Sequence, residues 1–268
     1  MTTHSSNPVT SQEKWIQGAN GKLFVRIWSP EKPSAQSPVF LLHDSLGCVE
    51  LWRNFPAELC ARSGRQVIAY DRLGFGQSDS HPGKLGVDFV AREAETDFAA
   101  LRQQLGIDRF IVFGHSVGGG MAVNCAASFG EACAGLITES AQAFVEDRTI
   151  QGIEEARELF KDPAQVGRLK RYHGEKAEWV LGAWIGSWLS PDFASWSLQP
   201  VLPRVKCPAL VIHGIDDEYG SSRHPELIGQ LSGGTARVEV MADTRHVPHR
   251  EREDTVVAMV AGFLQGLN

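Results

Sequence analysis

Residues 110–120 read FIVFGHSVGGG, an apolar run that leads through Ser116 into three consecutive glycines. The apolar run is typical of a buried strand and the residues after the serine have a helical pattern, so Ser116 is predicted to lie on a strand-to-helix turn. Residues 114–118 match the pattern G-x-S-x-G. Such a turn forces the backbone of the serine into strain and crowds the residues on either side, which favours glycine at Gly114 and Gly118. The alternative is a glycine-rich turn that binds phosphate or nothing.

The rest of the chain alternates short apolar runs with longer helical patterns, which is typical of a mainly parallel sheet with helices on both faces. Buried strands are predicted at residues 39–43, 66–70, 110–113, 136–138 and 209–213, another strand near 237–241, and an early hairpin at 14–17 and 22–28. Helices are predicted at residues 51–62, 88–105, 117–129, 224–231 and 254–267. The polar residues 1–12 are expected to form a loose tail.

Residues 143–203 interrupt this alternation, because they are helical in pattern and contain no strand-like run. A connection of this length inside a domain usually carries structure and function. We therefore predict a core formed by residues 13–142 and 204–268, with a helical cap inserted at 143–203. Four tryptophans of the insertion either form its own small core or cover an apolar substrate pocket: Trp179, Trp184, Trp188 and Trp196.

Composition excludes several classes of protein. A net charge of −6 disfavours a nucleic-acid partner, and no apolar stretch is long enough to suggest a membrane span or a signal peptide. The five cysteines are an odd number without metal-like spacing, and each lies in or next to an apolar run, which favours a reducing cytoplasm. The expected partner is a small molecule, and the expected assembly is a monomer or homodimer.

A serine nucleophile needs a base, and the base needs a carboxylate that orients it. After the strand at 209–213 comes an acidic segment containing Asp217, and after the strand near 237–241 comes a segment containing His246. Both segments follow the carboxyl ends of predicted parallel strands, where open α/β sheets place their binding sites. The order serine, acid, histidine along the chain is the one found in enzymes that carry their serine on a G-x-S-x-G turn between a strand and a helix, and Ser116, Asp217 and His246 follow it.

These motifs together resemble the α/β-hydrolase superfamily over residues 23–263. Residues 43–52 are similar to the oxyanion loop of that family, 71–78 to its D-x-x-G-x-G-x-S loop, 114–118 to its nucleophile turn, and 214–217 and 246–249 to its acid and histidine loops. The resemblance implies Ser116 as nucleophile, Asp217 as acid and His246 as base. It also implies an oxyanion hole formed by the backbone N–H groups of Ser45 and Val117.

Other assignments remain open at this point. Asp216 and Glu218 flank Asp217, Glu139 is the candidate if the acid follows the sixth strand, and His249 competes with His246. A further departure is Asp44, which stands where the family usually has glycine.

The carboxylate of Asp44 would either disfavour negative charge in the oxyanion hole or cap a local turn. His43, His115 and His213 are interpreted as histidines at the edge of the core.

The resemblance implies a serine hydrolase that cleaves a small carboxylic ester, a lactone or a thioester through an acyl-enzyme on Ser116. Neither a cofactor nor a metal is expected. Two alternatives are a carbon–carbon bond hydrolase of the meta-cleavage type, which is similar in both its Ser/Asp/His set and its cap, and a ligand receptor of the same fold without catalysis.

Overall fold

The computed structural model describes residues 8–32 and 35–267. Within these residues the chain forms one sheet of eight strands. The strands are β1 (Val9–Gln17), β2 (Lys22–Pro30), β3 (Val39–Leu42), β4 (Val67–Tyr70), β5 (Phe110–His115), β6 (Cys133–Glu139), β7 (Ala209–Gly214) and β8 (Ala236–Met241).

The strands lie in the order β1-β2-β4-β3-β5-β6-β7-β8. Strands β1, β2 and β4 pair antiparallel, and every pairing from β4 to β8 is parallel. The central strands are buried along their whole length, as apolar runs in a parallel sheet covered on both faces should be. The predicted α/β fold with a mainly parallel sheet is confirmed.

Helices cover both faces of the sheet. They are α1 (Phe55–Ser63), α2 (Phe89–Arg92), α3 (Asp97–Leu105), α4 (Val117–Phe129), α5 (Asp147–Leu159), α6 (Pro163–His173), α7 (Ala177–Trp188), α8 (Arg223–Leu231), α9 (Pro248–Glu251) and α10 (Glu253–Gln265). Helices α3, α4 and α8 contribute to the apolar core on one face, and α1 and α10 to the core on the other. None of the helices in the described part of the chain combines the length and the apolar character needed to cross a membrane.

Two predicted elements differ from the structure. Residues 9–12 are not part of a loose tail but begin β1, which pairs with β2 along nine residues. Most side chains of this edge strand are exposed, so its polar composition hid the strand; residues 1–7 lie outside the described residues. The helix predicted at 88–105 is two helices, because the chain turns between them and sends the Glu93 carboxylate inward to the buried Tyr70 hydroxyl.

Helices α5, α6 and α7 lie between β6 and β7, within the residues predicted to form a cap. An isolated bridge between Phe144 and Ser197 joins the two ends of this segment. The four tryptophans of this segment make different contacts. Trp179 stacks on His81, which lies outside the segment, while Trp188 packs edge-on against Trp196. The side chains of Trp184 and Trp188 also line a cavity whose wall includes Ser116.

Truncating Phe110 is expected to destabilise the fold strongly. Its ring is fully buried and meets Phe98 at a centroid distance of 5.0 Å and Phe129 at 5.8 Å. We expect Phe110→Ala to lower the free energy of unfolding by about 3–5 kcal/mol, the usual cost of removing a buried phenylalanine ring. Urea denaturation measures this loss. The control Val240→Ala, at a position 42% exposed on β8, should cost less than about 1 kcal/mol; similar losses in both variants would contradict the packing described.

Candidate active site

Ser116 lies on the turn between β5 and α4 and has a strained backbone, with φ 55° and ψ −125°. The turn is so tight that a Cβ added to Gly114 would lie 2.0 Å from the carbonyl oxygen of Gly118. A Cβ on Gly118 would in turn lie 2.2 Å from the carbonyl oxygen of Leu42. Both glycines are therefore required sterically, as the sequence predicted.

The predicted triad residues meet at the carboxyl end of the sheet. The Oγ atom of Ser116 lies 3.0 Å from Nε2 of His246. On the other side of the imidazole, Nδ1 of His246 lies 2.8 Å from Oδ1 and 2.9 Å from Oδ2 of Asp217. Because the three residues follow β5, β8 and β7, the parallel register brings together side chains that are up to 130 positions apart in the chain.

Asp217 is held as a carboxylate. Burial by itself raises the pKa of this acid, but the charge and hydrogen bond of His246 outweigh burial and leave the pKa below its ordinary value. The backbone N–H of Tyr219 donates a further hydrogen bond of 2.8 Å to Oδ1. The ring of Tyr219 also packs edge-on against the imidazole of His246, with centroids 4.8 Å apart. Asp217 can therefore fix the tautomer and orientation of His246.

The competing candidates for the acid and the base lie elsewhere. Asp216 and Glu218 are exposed, whereas Asp217 is buried. Glu139 is fully buried and accepts hydrogen bonds from the backbone N–H and from Nδ1 of His249, at 2.7 Å and 2.5 Å. His249 is thus paired with Glu139 and not with the serine.

Metal-binding atoms do come together beside the triad. Ligand atoms of His115, Glu139 and His249 lie within 4.8 Å of one another, and all three residues are buried. Each already has a protein partner, since Glu139 binds His249 and His115 binds Asp44. A metal ion would have to break both pairs, so we interpret this cluster as part of the framework of the site.

Asp44 forms a local turn and an ion pair. Its Oδ1 accepts the backbone N–H of Leu46 at 2.8 Å, and its Oδ2 lies 3.2 Å from Nδ1 of His115. The other ring nitrogen of His115 faces the carbonyl oxygen of His246 at 2.8 Å, so both nitrogens have acceptors when the ring is protonated. Burial opposes this charge, but the hydrogen bond to Asp44, the charges of Glu139 and Asp44 and the hydrogen bond to His246 together outweigh it and raise the pKa of His115.

His115 therefore does more than end a strand. It ties the loop after β3 to the loop that carries His246, and its charge compensates Asp44 when the ring is protonated. Burial opposes the ionisation of Asp44 in turn, and the hydrogen bond and charge of His115 outweigh it and hold the pKa of the carboxylate far below its ordinary value. Of the two roles considered for Asp44, the structure places it in the local turn.

A cavity of about 190 Å³ opens beside Ser116 and His246. Ser45 lines it, while Val117 is the first residue of α4 directly after the serine. Sequence reasoning missed four polar residues of its wall: Gln142, Thr149, Tyr219 and Arg250. Gln142 follows β6, and its Oε1 lies 3.4 Å from the Ser116 hydroxyl. The only feature of the sequence that could have indicated Gln142 is its position shortly after a predicted parallel strand.

The ion pair of Asp44 and His115 predicts a pH-dependent loss of stability in Asp44→Asn. The pKa of His115 is higher in the folded state than in the unfolded state, where it is about 6.5. The ion pair therefore stabilises the fold fully at pH values below the unfolded pKa, and this stabilisation is lost as the pH rises through the folded pKa. We therefore expect Asp44→Asn to lower the free energy of unfolding by about 3 kcal/mol near pH 6 and by less near pH 9. Urea denaturation at both pH values measures the difference.

The control for this prediction is Asp216→Asn, at an exposed carboxylate one residue before the acid. It should change stability little and equally at the two pH values. NMR titration of His115 should show a midpoint above the ordinary value in the native protein and a lower one in Asp44→Asn. An equal loss at both pH values would contradict the ion pair.

The chain has curated relatives among hydrolases and peptidases. The chain is 28% identical over 206 residues to the serine hydrolase BPHL of Homo sapiens, and the aligned region covers 74% of this chain and 69% of that protein. It is 30% identical over 111 residues to a proline iminopeptidase of Lactobacillus delbrueckii subsp. lactis, which covers 41% of this chain but only 37% of the relative. This second match therefore spans well under half of the relative's length.

Solved structures with low sequence identity share the fold. A bacterial membrane phospholipase A superposes with a TM-score of 0.78 at 20% identity, covering 96% of this chain and 86% of that one. An enol-lactonase from Burkholderia xenovorans LB400 superposes with a TM-score of 0.74 at 19% identity, covering 94% and 100%. Residues 37–177, just over half of the chain, match the family model described as alpha/beta hydrolase fold. The chain belongs to the alpha/beta hydrolase family.

Proposed function

We propose that the protein is a serine hydrolase that cleaves small carboxylic esters through an acyl-enzyme on Ser116. The observation that carries this proposal is one continuous chain of hydrogen bonds at the edge of a cavity. It runs from the Ser116 hydroxyl to His246 over 3.0 Å and from His246 to Asp217 over 2.8 Å. Membership of a hydrolase family supports the general reaction, and the ester and the serine mechanism are our inference from the site.

In the first half of the reaction, Nε2 of His246 takes the proton of the Ser116 hydroxyl as Oγ attacks the acyl carbon. The electron pair of the carbonyl bond moves to its oxygen, which becomes the oxyanion of a tetrahedral intermediate. When the intermediate collapses, the bond to the alcohol oxygen breaks and that oxygen takes the proton from His246. Asp217 stabilises the imidazolium that exists between these two steps.

In the second half, a water molecule takes the place of the alcohol. His246 removes a proton from the water, which attacks the acyl carbon, and the second tetrahedral intermediate expels the Ser116 oxygen. That oxygen recovers the proton from His246, so the enzyme returns to its initial state and the acid product leaves. The sequence of steps consumes one water and requires no cofactor.

The oxyanion in both halves would be held by the backbone N–H groups of Val117 and Ser45. Val117 begins α4, whose amino terminus directs a positive dipole end at this point. The carboxylate of Asp44 next to Ser45 would oppose an oxyanion if it were unpaired. Its pairing with protonated His115 removes most of that opposition.

The cavity restricts the substrate. Its volume of about 190 Å³ is below the roughly 300–1,000 Å³ of sites for drug-sized ligands. Apolar side chains from both the core and the helical insertion form much of its wall, including Leu51, Ile153, Trp184 and Trp188. A short acyl group therefore fits this site better than a long chain, and small lactones and thioesters offer the same reacting carbonyl.

We also propose that residues 143–203 act as a cap, because α5 and α7 supply side chains to the cavity opposite Ser116. Five free cysteines, all buried, support a reducing cytoplasm as the working environment. The partner that we propose is the small-molecule substrate, with the protein acting as a monomer or a homodimer.

Ser116→Ala is expected to abolish the hydrolysis of p-nitrophenyl acetate. Removing the nucleophile should lower kcat by about 10⁴-fold or more, because no other group can form the acyl-enzyme. Release of p-nitrophenol measures the rate. The control Ser45→Ala keeps the backbone N–H that the proposal uses, so it should retain activity within about tenfold of the native protein. Full turnover by Ser116→Ala would contradict the proposal.

A labelling experiment and two further substrates separate the alternative functions. A fluorophosphonate probe should label Ser116 in the native protein and not in Ser116→Ala, whereas a ligand receptor without catalysis would stay unlabelled. A vinylogous diketone tests for a carbon–carbon bond hydrolase. Because one relative is a proline iminopeptidase, proline p-nitroanilide tests for amide cleavage. Faster turnover of the diketone or the anilide than of every short ester would replace the ester by that substrate.

Asp217→Asn is expected to lower kcat by about 10³–10⁴-fold, because an amide neither enforces the correct tautomer of His246 nor stabilises the imidazolium. Asp216→Asn is the matched control, since it makes the same change at the exposed neighbouring residue. It should leave kcat within about twofold of the native value. Comparable losses in the two variants, or a large loss only in Asp216→Asn, would show that the acid is assigned wrongly.

A further inference from the structure

Arg250 places a positive charge in the wall of the catalytic cavity. The residue lies on α9, four positions after His246, and lines the same cavity as Ser116. The neighbouring His249 points into the core and pairs with Glu139. The short helix thus directs one side chain to the framework of the site and the next one to the substrate cavity.

The guanidinium of Arg250 has no hydrogen-bond or ion-pair partner in the part of the chain that the structure describes. Its Nε is buried without any hydrogen-bond acceptor, and across residues 8–32 and 35–267 its side chain forms neither a hydrogen bond nor an ion pair. A buried donor left unsatisfied is costly, so each such group calls for an explanation. The Nε atoms of Arg72 and Arg102 are also without an acceptor, but the guanidinium groups of those two arginines hydrogen-bond to the protein through Nη2. Arg250 has no such bond and lines the same cavity as Ser116, which indicates a ligand that supplies the missing acceptors.

The acidic residues around Arg250 are already committed. Asp44 contributes an attractive field, yet its carboxylate lies beyond ion-pair distance and binds His115 at 3.2 Å and the backbone of Leu46 at 2.8 Å. The neighbouring Glu251 accepts the backbone N–H groups of Arg245 and Val247. Neither acid is free to pair with the guanidinium.

The chemistry of the group defines its ligand. A guanidinium presents a planar fork of N–H donors that matches the two oxygens of a carboxylate, and it stays charged at any working pH. The rest of the wall includes large apolar side chains such as Trp184 and Trp188, and the cavity is small, about 190 Å³. A short molecule with an ester at one end and an anion at the other satisfies both features.

We propose that Arg250 binds a carboxylate of the substrate, so that the preferred substrates are small esters or lactones that carry a negative charge away from the bond that is cleaved. This inference rests on the proposed hydrolase function and narrows its substrate class. The carboxylate displaces no protein group, because the guanidinium has none to give up. Arg250 is a specificity residue in this account and takes no part in proton transfer.

The experiment compares two esters of the same shape. Monomethyl glutarate ends in a carboxylate, and methyl 5-methylhexanoate ends in an isopropyl group of similar size. We expect the native protein to favour the anionic ester in kcat/KM, and Arg250→Gln to lower the anionic-to-neutral ratio by about 10- to 100-fold, the range for a charge-assisted hydrogen-bonded pair. Arg250→Lys keeps the charge without the fork and should retain an intermediate ratio.

Arg252→Gln is the matched control, because Arg252 lies two residues away, is exposed, and has a side chain that hydrogen-bonds to the carbonyl of Asp243 and does not line the cavity. It should leave the ratio unchanged. Inhibition of neutral-ester hydrolysis gives an independent readout. Glutarate should inhibit the native protein and lose at least tenfold in potency with Arg250→Gln, whereas inorganic phosphate at equal concentration should inhibit less; stronger inhibition by phosphate would reassign the anion.

The outcomes separate this inference from the proposed function. If the neutral ester is hydrolysed and Arg250→Gln leaves the ratio unchanged, the carboxylate subsite is wrong while the serine hydrolase stands. A loss of thermal stability in Arg250→Gln with an unchanged ratio would mean that the arginine only balances Asp44. If no ester is hydrolysed and Ser116 cannot be labelled, the proposed function itself fails. Loss of both the ratio and the glutarate inhibition in Arg250→Gln, with neither lost in Arg252→Gln, supports the subsite.

Discussion

Close contact between backbones at two glycines is the constraint on which the site depends. Gly118 places the start of α4 against the carbonyl oxygen of Leu42, at a point where a Cβ would lie only 2.2 Å away. Gly214 ends β7 against the carbonyl oxygen of Arg245, again with room for no more than hydrogen, at 2.2 Å. The first contact fixes Ser116 beside the loop after β3, and the second presses the acid loop against the histidine loop. Because these contacts join backbone to backbone, side-chain rearrangement cannot relieve them, and they constrain the three loops independently of the hydrogen bonds of the triad.

Three pairs of a carboxylate and a histidine then meet at this end of the sheet, all buried except for the partly exposed Asp44: Asp217 with His246, Asp44 with His115, and Glu139 with His249. Their geometry separates their roles. Only His246 also reaches the serine hydroxyl, and both ring nitrogens of His115 are used within the framework. Breaking a buried pair leaves an uncompensated charge, which costs several kcal/mol, so each pair stabilises the loop positions as well as the charges. The site is therefore a polar network in which two histidines hold the loops in place and the third, His246, is also available to the serine hydroxyl.

The features visible in the sequence were those that short-range chemistry dictates. The strand before Ser116 and the glycines around it follow from local rules, whereas the acid and the histidine were assigned through the resemblance to the α/β-hydrolase family; in the structure Ser116, His246 and Asp217 lie within hydrogen-bond distance of one another in series. The first strand escaped because an edge strand with exposed side chains has no apolar pattern. Gln142 and Arg250 were not predicted for another reason. Each lies in a segment whose direction is set by tertiary packing, and a single glutamine or arginine in a sequence does not indicate where its side chain points. The ion pair of Asp44 likewise needed the distance to His115.

The central claim is that the hydrogen-bonded chain makes Ser116 a nucleophile that carries the acyl group. Its most direct test is mass spectrometry of the protein quenched in acid during turnover of a short ester, followed by digestion. We predict that the peptide containing Ser116 gains the mass of the acyl group and that the modification maps to this serine. In samples quenched only after the ester has been consumed, the adduct should be absent. An acyl group on another residue, or turnover without any covalent adduct on Ser116 under conditions where p-nitrophenol is released in a burst, would contradict the account.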